Sequence, residues 1–370
     1  MELIHKTKPI VAIYMLAFLM LCCIASLATF VLRQDKLAPD ETGFLPFLSG
    51  KVIASFEKKY EENLIIRDHM IGVWGAVQYG LFKSGGKKVV VGSNDWLFTT
   101  EEFDHQTEGQ KAEARLLHLV ESVNNHLKAH NIQLVVALVP SKARIYPEYL
   151  AGHHVSASRL AVYERFHDAV TAMGIQAPDL AQLYLEHKND GVPLYLRLDT
   201  HWTPEGAELA AKQIATEVPE GFLEKVTFTT DKKSAEKIEG DLEKYIKTGP
   251  FSFWLSPEQD KIERRATEKS GETSDAGLFG DEVIPVALVG TSYSAIDKWN
   301  FEGALKEALG ADVLNLADEG QGPLQPMAKF MKETDFAATP IKLVIWEIPE
   351  RFVPVSYNDI VFPEFIEAKE

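Results

Sequence analysis

Cysteine is almost missing from this chain. Its 370 residues include two, Cys22 and Cys23, adjacent and inside an apolar run. Neighbouring cysteines rarely bridge and there is no third, so no disulfide is expected, and an oxidising compartment is permitted but not required. Leu21 is bulky where a lipoprotein cleavage site needs a small residue, so the pair does not read as a lipidation signal. Basic residues are also in short supply: 38 Lys and Arg against 54 Asp and Glu leave a net charge of −16. Such a surface repels phosphates, which argues against a nucleic-acid partner, and any polyanionic ligand would need a locally basic groove. The 11 histidines are not set at metal-ligand spacing, so no metal site is expected. Repeats and low-complexity tracts are absent too. Hydrophobic content of 46% and charged content of 25% are those of an ordinary folded protein. The length suits one large α/β domain with an appendage.

One long hydrophobic run is present. Ile10–Leu32 contains 23 residues without a charge, enough to span a bilayer as a helix. Lys6 and Lys8 precede it and Arg33 and Lys36 follow, so the lysine/arginine rule is a tie. The α-amino group and the short tail favour a signal anchor with its amino terminus inside. The alternative is a cleavable signal peptide, since Ser26-Leu27-Ala28 offers a small-x-small site. Either way, residues beyond 36 lie outside the cytoplasm.

The remainder divides by pattern. Residues 1–36 read as cytoplasmic tail and anchor, and 37–84 as a linker followed by an amphipathic helical segment over 51–83. Pro39, Gly43, Pro46 and Gly50 interrupt the linker. From residue 85 strand and helix signals alternate to residue 370. Strands are predicted over 88–91, 96–98, 133–139, about 175–178, 284–289, 313–316 and 343–348, and helices over 108–130, 157–173 and 204–217. That alternation predicts a mainly parallel sheet with helices on both faces. Residues 228–275, rich in Lys, Glu, Ser and Thr, read as an insertion or mobile loop.

Two short strings carry the candidate chemistry. In Asp199-Thr200-His201-Trp202-Thr203-Pro204 a carboxylate and an imidazole sit two apart, and an extended chain would turn both to one side. A histidine base needs such a carboxylate to fix its tautomer and stabilise its charged form. In Val289-Gly290-Thr291-Ser292 a serine follows a buried strand, where an open α/β sheet places its active site. Serine is a weak nucleophile without an adjacent base, and His201 would supply one. Taken singly, Asp199-x-His201 also reads as a capped turn, and Gly290-x-Ser292 as a plain strand-to-helix turn.

The string YLRLDTHWTPEGA (195–207) closely resembles a signature of the alginate O-acetyltransferase family, the periplasmic AlgJ/AlgX-type proteins. VVVGSNDWLF (89–98), LVPSKARIYPE (138–148) and LVGTSYS (288–294) resemble the same family in the same order. The resemblance covers roughly residues 85–350, and residues 228–275 show no family pattern. It implies an SGNH-hydrolase-like α/β fold preceded by a membrane helix, with Asp199, His201 and Ser292 as the triad. Thr291, Asn315 and Gln321 are candidate oxyanion or substrate residues, as are Lys142 and Arg144, which could hold an anionic sugar. Trp202 is open between stacking on a sugar and filling core. The run Trp346-Glu347-Ile348-Pro349-Glu350-Arg351 reads as packing plus an ion pair.

The implied activity is O-acetylation of an exopolysaccharide in the periplasm through acetyl-Ser292, with no cofactor. Implied partners are the polysaccharide acceptor, a membrane-bound O-acyltransferase as acetyl donor, other exopolysaccharide biosynthesis proteins, and the inner membrane through residues 10–32. The −16 charge slightly favours a neutral glucan over a polyanion unless a basic groove exists. An acetylesterase with the same triad, or a non-catalytic polysaccharide-binding subunit, remains open.

Overall fold

The computed structural model describes residues 2–104, 106–270, 283–357 and 359–367, so positions 271–275 of the expected insertion lie outside the described residues. The chain forms two compact units: Met1–Ser84 with Ile246–Ser256, and Gly85–Tyr245 with Pro257–Glu370.

The first unit is helical. Its helix Glu2–Leu32 contains Ala12–Leu32, long and apolar enough to cross a membrane. The expected linker includes a short helix, Phe44–Leu48. Instead of one segment over 51–83 there are two helices, Lys51–Asn63 and Arg67–Phe82. Leu64 turns extended between them (φ −61°, ψ 120°), and the freed Ile65 N–H donates to Thr29 Oγ1. Helix Lys51–Asn63 packs along the end of this apolar helix: Tyr60 shares a hydrogen bond with Ser26, and Phe56 and Tyr60 meet the Phe30 ring. Gly75 is required where helix Arg67–Phe82 meets the inserted segment, because a Cβ there would collide with the Lys247 carbonyl.

Among its described residues the second unit contains eight strands: β1 (Val89–Val91), β2 (Leu97–Thr99), β3 (Gln133–Val139), β4 (Phe228–Ile238), β5 (Asp260–Lys269), β6 (Val286–Val289), β7 (Val313–Asn315) and β8 (Leu343–Pro349). β1 and β2 form a hairpin whose turn places Asn94 and Asp95 at positive φ, a conformation these two residues tolerate. The main sheet runs β3-β8-β6-β7, every pair parallel. Side chains alternate between two apolar layers. Val135, Ala137, Val286 and Leu288 face one; Val136, Leu138, Ala287 and Val289 face the other. Burial on both faces explains why these strands are unbroken hydrophobic runs rather than alternating ones.

The strand expected near 175–178 is reduced to one bridge between Gln176 and Val135; Pro178, just beyond, has no N–H to extend a ladder. Over the expected insertion, β4 and β5 pair as a long antiparallel hairpin with an irregularity between Lys232 and Ala235. The carboxyl ends of β3, β6, β7 and β8 open on one edge, which positions the site.

Candidate functional site

Asp199 and His201 sit at the tip of a tight loop, not on a strand. The loop is closed by Thr203 N–H to Leu194 O and Leu196 N–H to His201 O, with a bridge between Tyr195 and Trp202. Thr203 caps the following helix, Pro204–Thr216, by accepting from Gly206 N–H, and Pro204 takes its first turn. Tightening the loop turns carbonyls inward, and a buried lysine satisfies them. Lys142 Nζ donates to Leu97 O (2.6 Å), Arg197 O (2.8 Å) and Asp199 O (2.9 Å). Burial brings its pKa down to about 8, against the pull of Glu102.

His201 Nδ1 meets Asp199 Oδ1 at 2.6 Å, and its Nε2 meets Ser292 Oγ at 2.7 Å. A carboxylate on Nδ1 selects the tautomer whose Nε2 accepts the serine proton. Asp199 Oδ1 also accepts the His201 N–H, and Oδ2 the Asp241 N–H, each at 2.9 Å. Burial pushes the Asp199 carboxyl up, but the hydrogen bond and charge of His201 outweigh it and hold the group at about 2. Trp299 lies nearly parallel to the imidazole at 5.4 Å, and Tyr293 touches it at 4.7 Å, so the ring is fixed by packing as well.

Ser292 opens a short turn of helix, Ser292–Ala295, directly after β6. Behind it stands Glu347, fully buried on β8, accepting Thr291 N–H (2.7 Å), the Thr291 hydroxyl and the Ser294 hydroxyl. Burial raises the Glu347 pKa despite these donors. Asn315 Nδ2 donates to Ser294 O, and its Oδ1 accepts Ala317 N–H, so this amide braces the nucleophile turn. Arg351 donates to Tyr293 OH (2.8 Å), which donates to Thr200 O (2.6 Å), tying the turn to the histidine loop.

Ser292 and His201 open on a cleft of about 720 Å³. Thr291, Gln321 and the flanking Gly320 and Gly322 front it, both glycines at positive φ. At Gly322 a Cβ would press within 2.9 Å of Tyr357 OH. Lys87, Lys88, Lys244 and Arg351 also border the cleft, and Lys88 and Lys244 approach the Tyr245 ring at 6.0 and 5.2 Å. Glu101, Asp104 and Asp241 border it too, and Arg351 pairs with Glu101, so three lysines stand in a lining of mixed charge.

Four candidates from the sequence do not reach this cleft. Asn315 is spent bracing the nucleophile turn; Lys142 is spent on backbone carbonyls; Arg144 pairs with Glu350 and Glu164; Trp202 is fully buried and donates to Tyr293 O. The run 346–351 does more than pack, since Glu347 and Arg351 brace the nucleophile turn. Asp241 carries no sequence signal, lying in a charge-rich stretch, yet its carboxylate accepts Thr200 N–H (2.8 Å) and Thr200 Oγ1–H (2.7 Å). Ligand atoms of Asp199, His201 and Asp241 lie within 4.8 Å of one another, a possible metal grouping among the described residues. Here the carboxylates are instead occupied by His201, Thr200 and backbone donors.

The family described as SGNH hydrolase-like domain, acetyltransferase AlgX, matches residues 89–350. The probable alginate O-acetylase AlgJ of Azotobacter vinelandii is 40% identical over 318 residues, 85% of this chain and 82% of that protein. That of Pseudomonas aeruginosa is 39% identical over 322 residues, 84% and 82% of the two. The O-acetyltransferase domain of Pseudomonas putida AlgJ superposes with a TM-score of 0.68 at 37% identity, covering 75% of this chain and 97% of that domain. With a family match across most of the α/β unit and relatives this similar over most of their length, the chain belongs to the AlgX family of SGNH hydrolase-like acetyltransferases.

Proposed function

We propose that this chain O-acetylates an alginate-type polysaccharide through acetyl-Ser292. Ser292 Oγ attacks the carbonyl carbon of a donor's acetyl group while His201 Nε2 takes its proton, and Asp199 stabilises the resulting imidazolium. The Ser292 amide and the backbone of Gly320–Gly322 serve the developing oxyanion. The tetrahedral intermediate collapses to acetyl-Ser292, and His201 returns the proton to the leaving group. A sugar hydroxyl then attacks the acyl carbon, giving its proton to His201, and Ser292 leaves with that proton restored. The hydrogen-bonded run Ser292–His201–Asp199 at the mouth of the cleft, in a member of an acetyltransferase family, carries this reading. Lys87, Lys88 and Lys244 suit uronate carboxylates and answer in part the −16 charge, beside Glu101, Asp104 and Asp241 in the same lining.

Residues 1–36 serve as tail and anchor in the inner membrane, 37–84 with 246–256 as a juxtamembrane segment, and the rest of 85–370 as the periplasmic catalytic domain. Acetyl-coenzyme A is cytoplasmic, so the donor is a membrane-bound O-acyltransferase that passes acetyl across the membrane, working with other exopolysaccharide proteins. The test is a chromogenic acetyl ester offered with and without oligouronate. Acetylated sugar is expected from the native chain and none from Ser292→Ala, whereas acetate release with no acetylated sugar would make it an esterase. Unchanged ester turnover in Ser292→Ala would remove the nucleophile.

A further inference from the structure

Helix Arg67–Phe82 has no Asp, Glu, Lys or Arg after Asp68. A helix apolar all round belongs in a core or against lipid. One face, with Gly72, Ala76 and Tyr79, is buried, and the backbone at Lys247 and Gly249 lies against its glycines. The opposite face repeats Met70, Trp74 and Leu81 at helical spacing, and these are 36%, 58% and 76% exposed. The segment covering the buried face adds Phe253 and Trp254, 88% and 74% exposed. The short helix before it, Phe44–Leu48, leaves Phe44, Leu45, Phe47 and Leu48 exposed as well.

All of these residues belong to the unit that contains the membrane-crossing helix Ala12–Leu32. The unit does not hang on a loose tether. Tyr60 binds Ser26, Ile65 N–H binds Thr29, and Arg33 donates to Asn63 O, so helix Lys51–Asn63 is clamped to the last turns of the span. Helix Arg67–Phe82 begins only a few residues after that clamp. The bilayer entered by Ala12–Leu32 is therefore the neighbour within reach of the apolar face. Indole rings flanked by aliphatic residues and free of acid are the composition of a membrane–water interface.

We propose that the first unit is an interfacial module, with Trp74, Leu81, Phe253 and Trp254 seated among the headgroups and upper acyl chains on the side of the membrane where the span ends. It is a second lipid contact, independent of the reaction at Ser292.

The full chain reconstituted into phosphatidylcholine–phosphatidylglycerol vesicles tests this, because its six tryptophans sort themselves. Trp96, Trp202, Trp299 and Trp346 are at most 3% exposed in the other unit, and none lies in residues 10–32. Vesicles with dibrominated acyl chains should quench Trp74 and Trp254 alone, a loss of up to about one third of the emission, two indoles of six. Trp74→Phe/Trp254→Phe should abolish the loss while keeping acetyl-ester turnover, and Leu81→Glu should weaken it. Equal emission in brominated and plain vesicles would overturn the proposal, with aqueous acrylamide quenching indicating exposure to water. Protection from both quenchers would overturn it in favour of a protein partner or a second copy.

Discussion

Replacing Asp241 by asparagine tests how the loop supports the charge that His201 acquires during the reaction. The carboxylate stands within 4.8 Å of the ligand atoms of both Asp199 and His201, and burial followed by the charge of Asp199 raises its own pKa. Two unit charges 4.8 Å apart interact by roughly 0.9 kcal/mol in bulk water and about 3.5 kcal/mol at an effective dielectric of 20. Removing it takes that support from the imidazolium that forms as Ser292 attacks, so kcat should fall by roughly four- to 350-fold at about 1.4 kcal/mol per tenfold in rate. Asparagine keeps an oxygen for Thr200 N–H and presents its amide to Thr200 Oγ1, and the bond from residue 241 N–H to Asp199 Oδ2 is backbone. The loop should therefore hold its shape. Asp241→Ala should lower kcat as well, because Thr200 loses both acceptors. The assay is hydrolysis of a chromogenic acetyl ester by native and variant protein. An unchanged kcat in a correctly folded Asp241→Asn would refute the reasoning.

Two further outcomes follow from the site. Lys88→Ala/Lys244→Ala should raise KM for an oligouronate acceptor by roughly two- to thirty-fold, taking each exposed charge contact as about 0.2–1 kcal/mol, with a much smaller change for a neutral acetyl ester; a KM insensitive to both the variant and added salt would show that the rim does not read charge. Glu347→Ala leaves the Thr291 N–H without its buried acceptor at a cost of about 1–3 kcal/mol, whereas Glu347→Gln keeps one oxygen there. Denaturant unfolding should rank native above glutamine above alanine, and equal stability of the two variants would contradict that role.

The sheet was legible because buried parallel strands announce themselves: QLVVALV and LVIWEIP have no polar face to blur the reading. The helix after Pro204 was equally plain, since cap and first-turn proline are local signals. Asp199, His201 and Ser292 could be named from short strings, although the loop between Leu194 and Thr203 was misread as extended. Its shape depends on a lysine over fifty residues away, and one long-range cation is invisible to local pattern. The same cause misplaced Lys142 and Arg144: a charge after a strand looks like a ligand for substrate until the carbonyls and carboxylates it must satisfy are known. Asp241 and Glu347 escaped for the opposite reason. One is lost among many charged residues, and the other sits in a strand that reads as pure packing.

The hairpin that broke the compositional pattern turns out to be the support of the base. Its two feet, at Ile238–Leu242 and Asp260, meet the histidine loop through a dense set of contacts. Asp260 accepts Leu198 N–H and pairs with Arg197, Leu242 N–H donates to Leu198 O, and Asp241 reaches both Asp199 and Thr200. Gly240 carries no side chain because a Cβ would strike Leu198 O. Ser292 is held differently, by β6, Glu347 on β8 and Asn315 at the end of β7. Nucleophile and base therefore rest on different sets of supports, the parallel sheet for one and the hairpin together with Lys142 for the other, joined across by Tyr293. A slip in the β4–β5 register would displace His201 and leave Ser292 in place. The lysine-rich, largely solvated sequence of the hairpin conceals this, even though Arg265 in its middle is buried and pairs with Glu205 and Glu208 on the helix after the histidine loop.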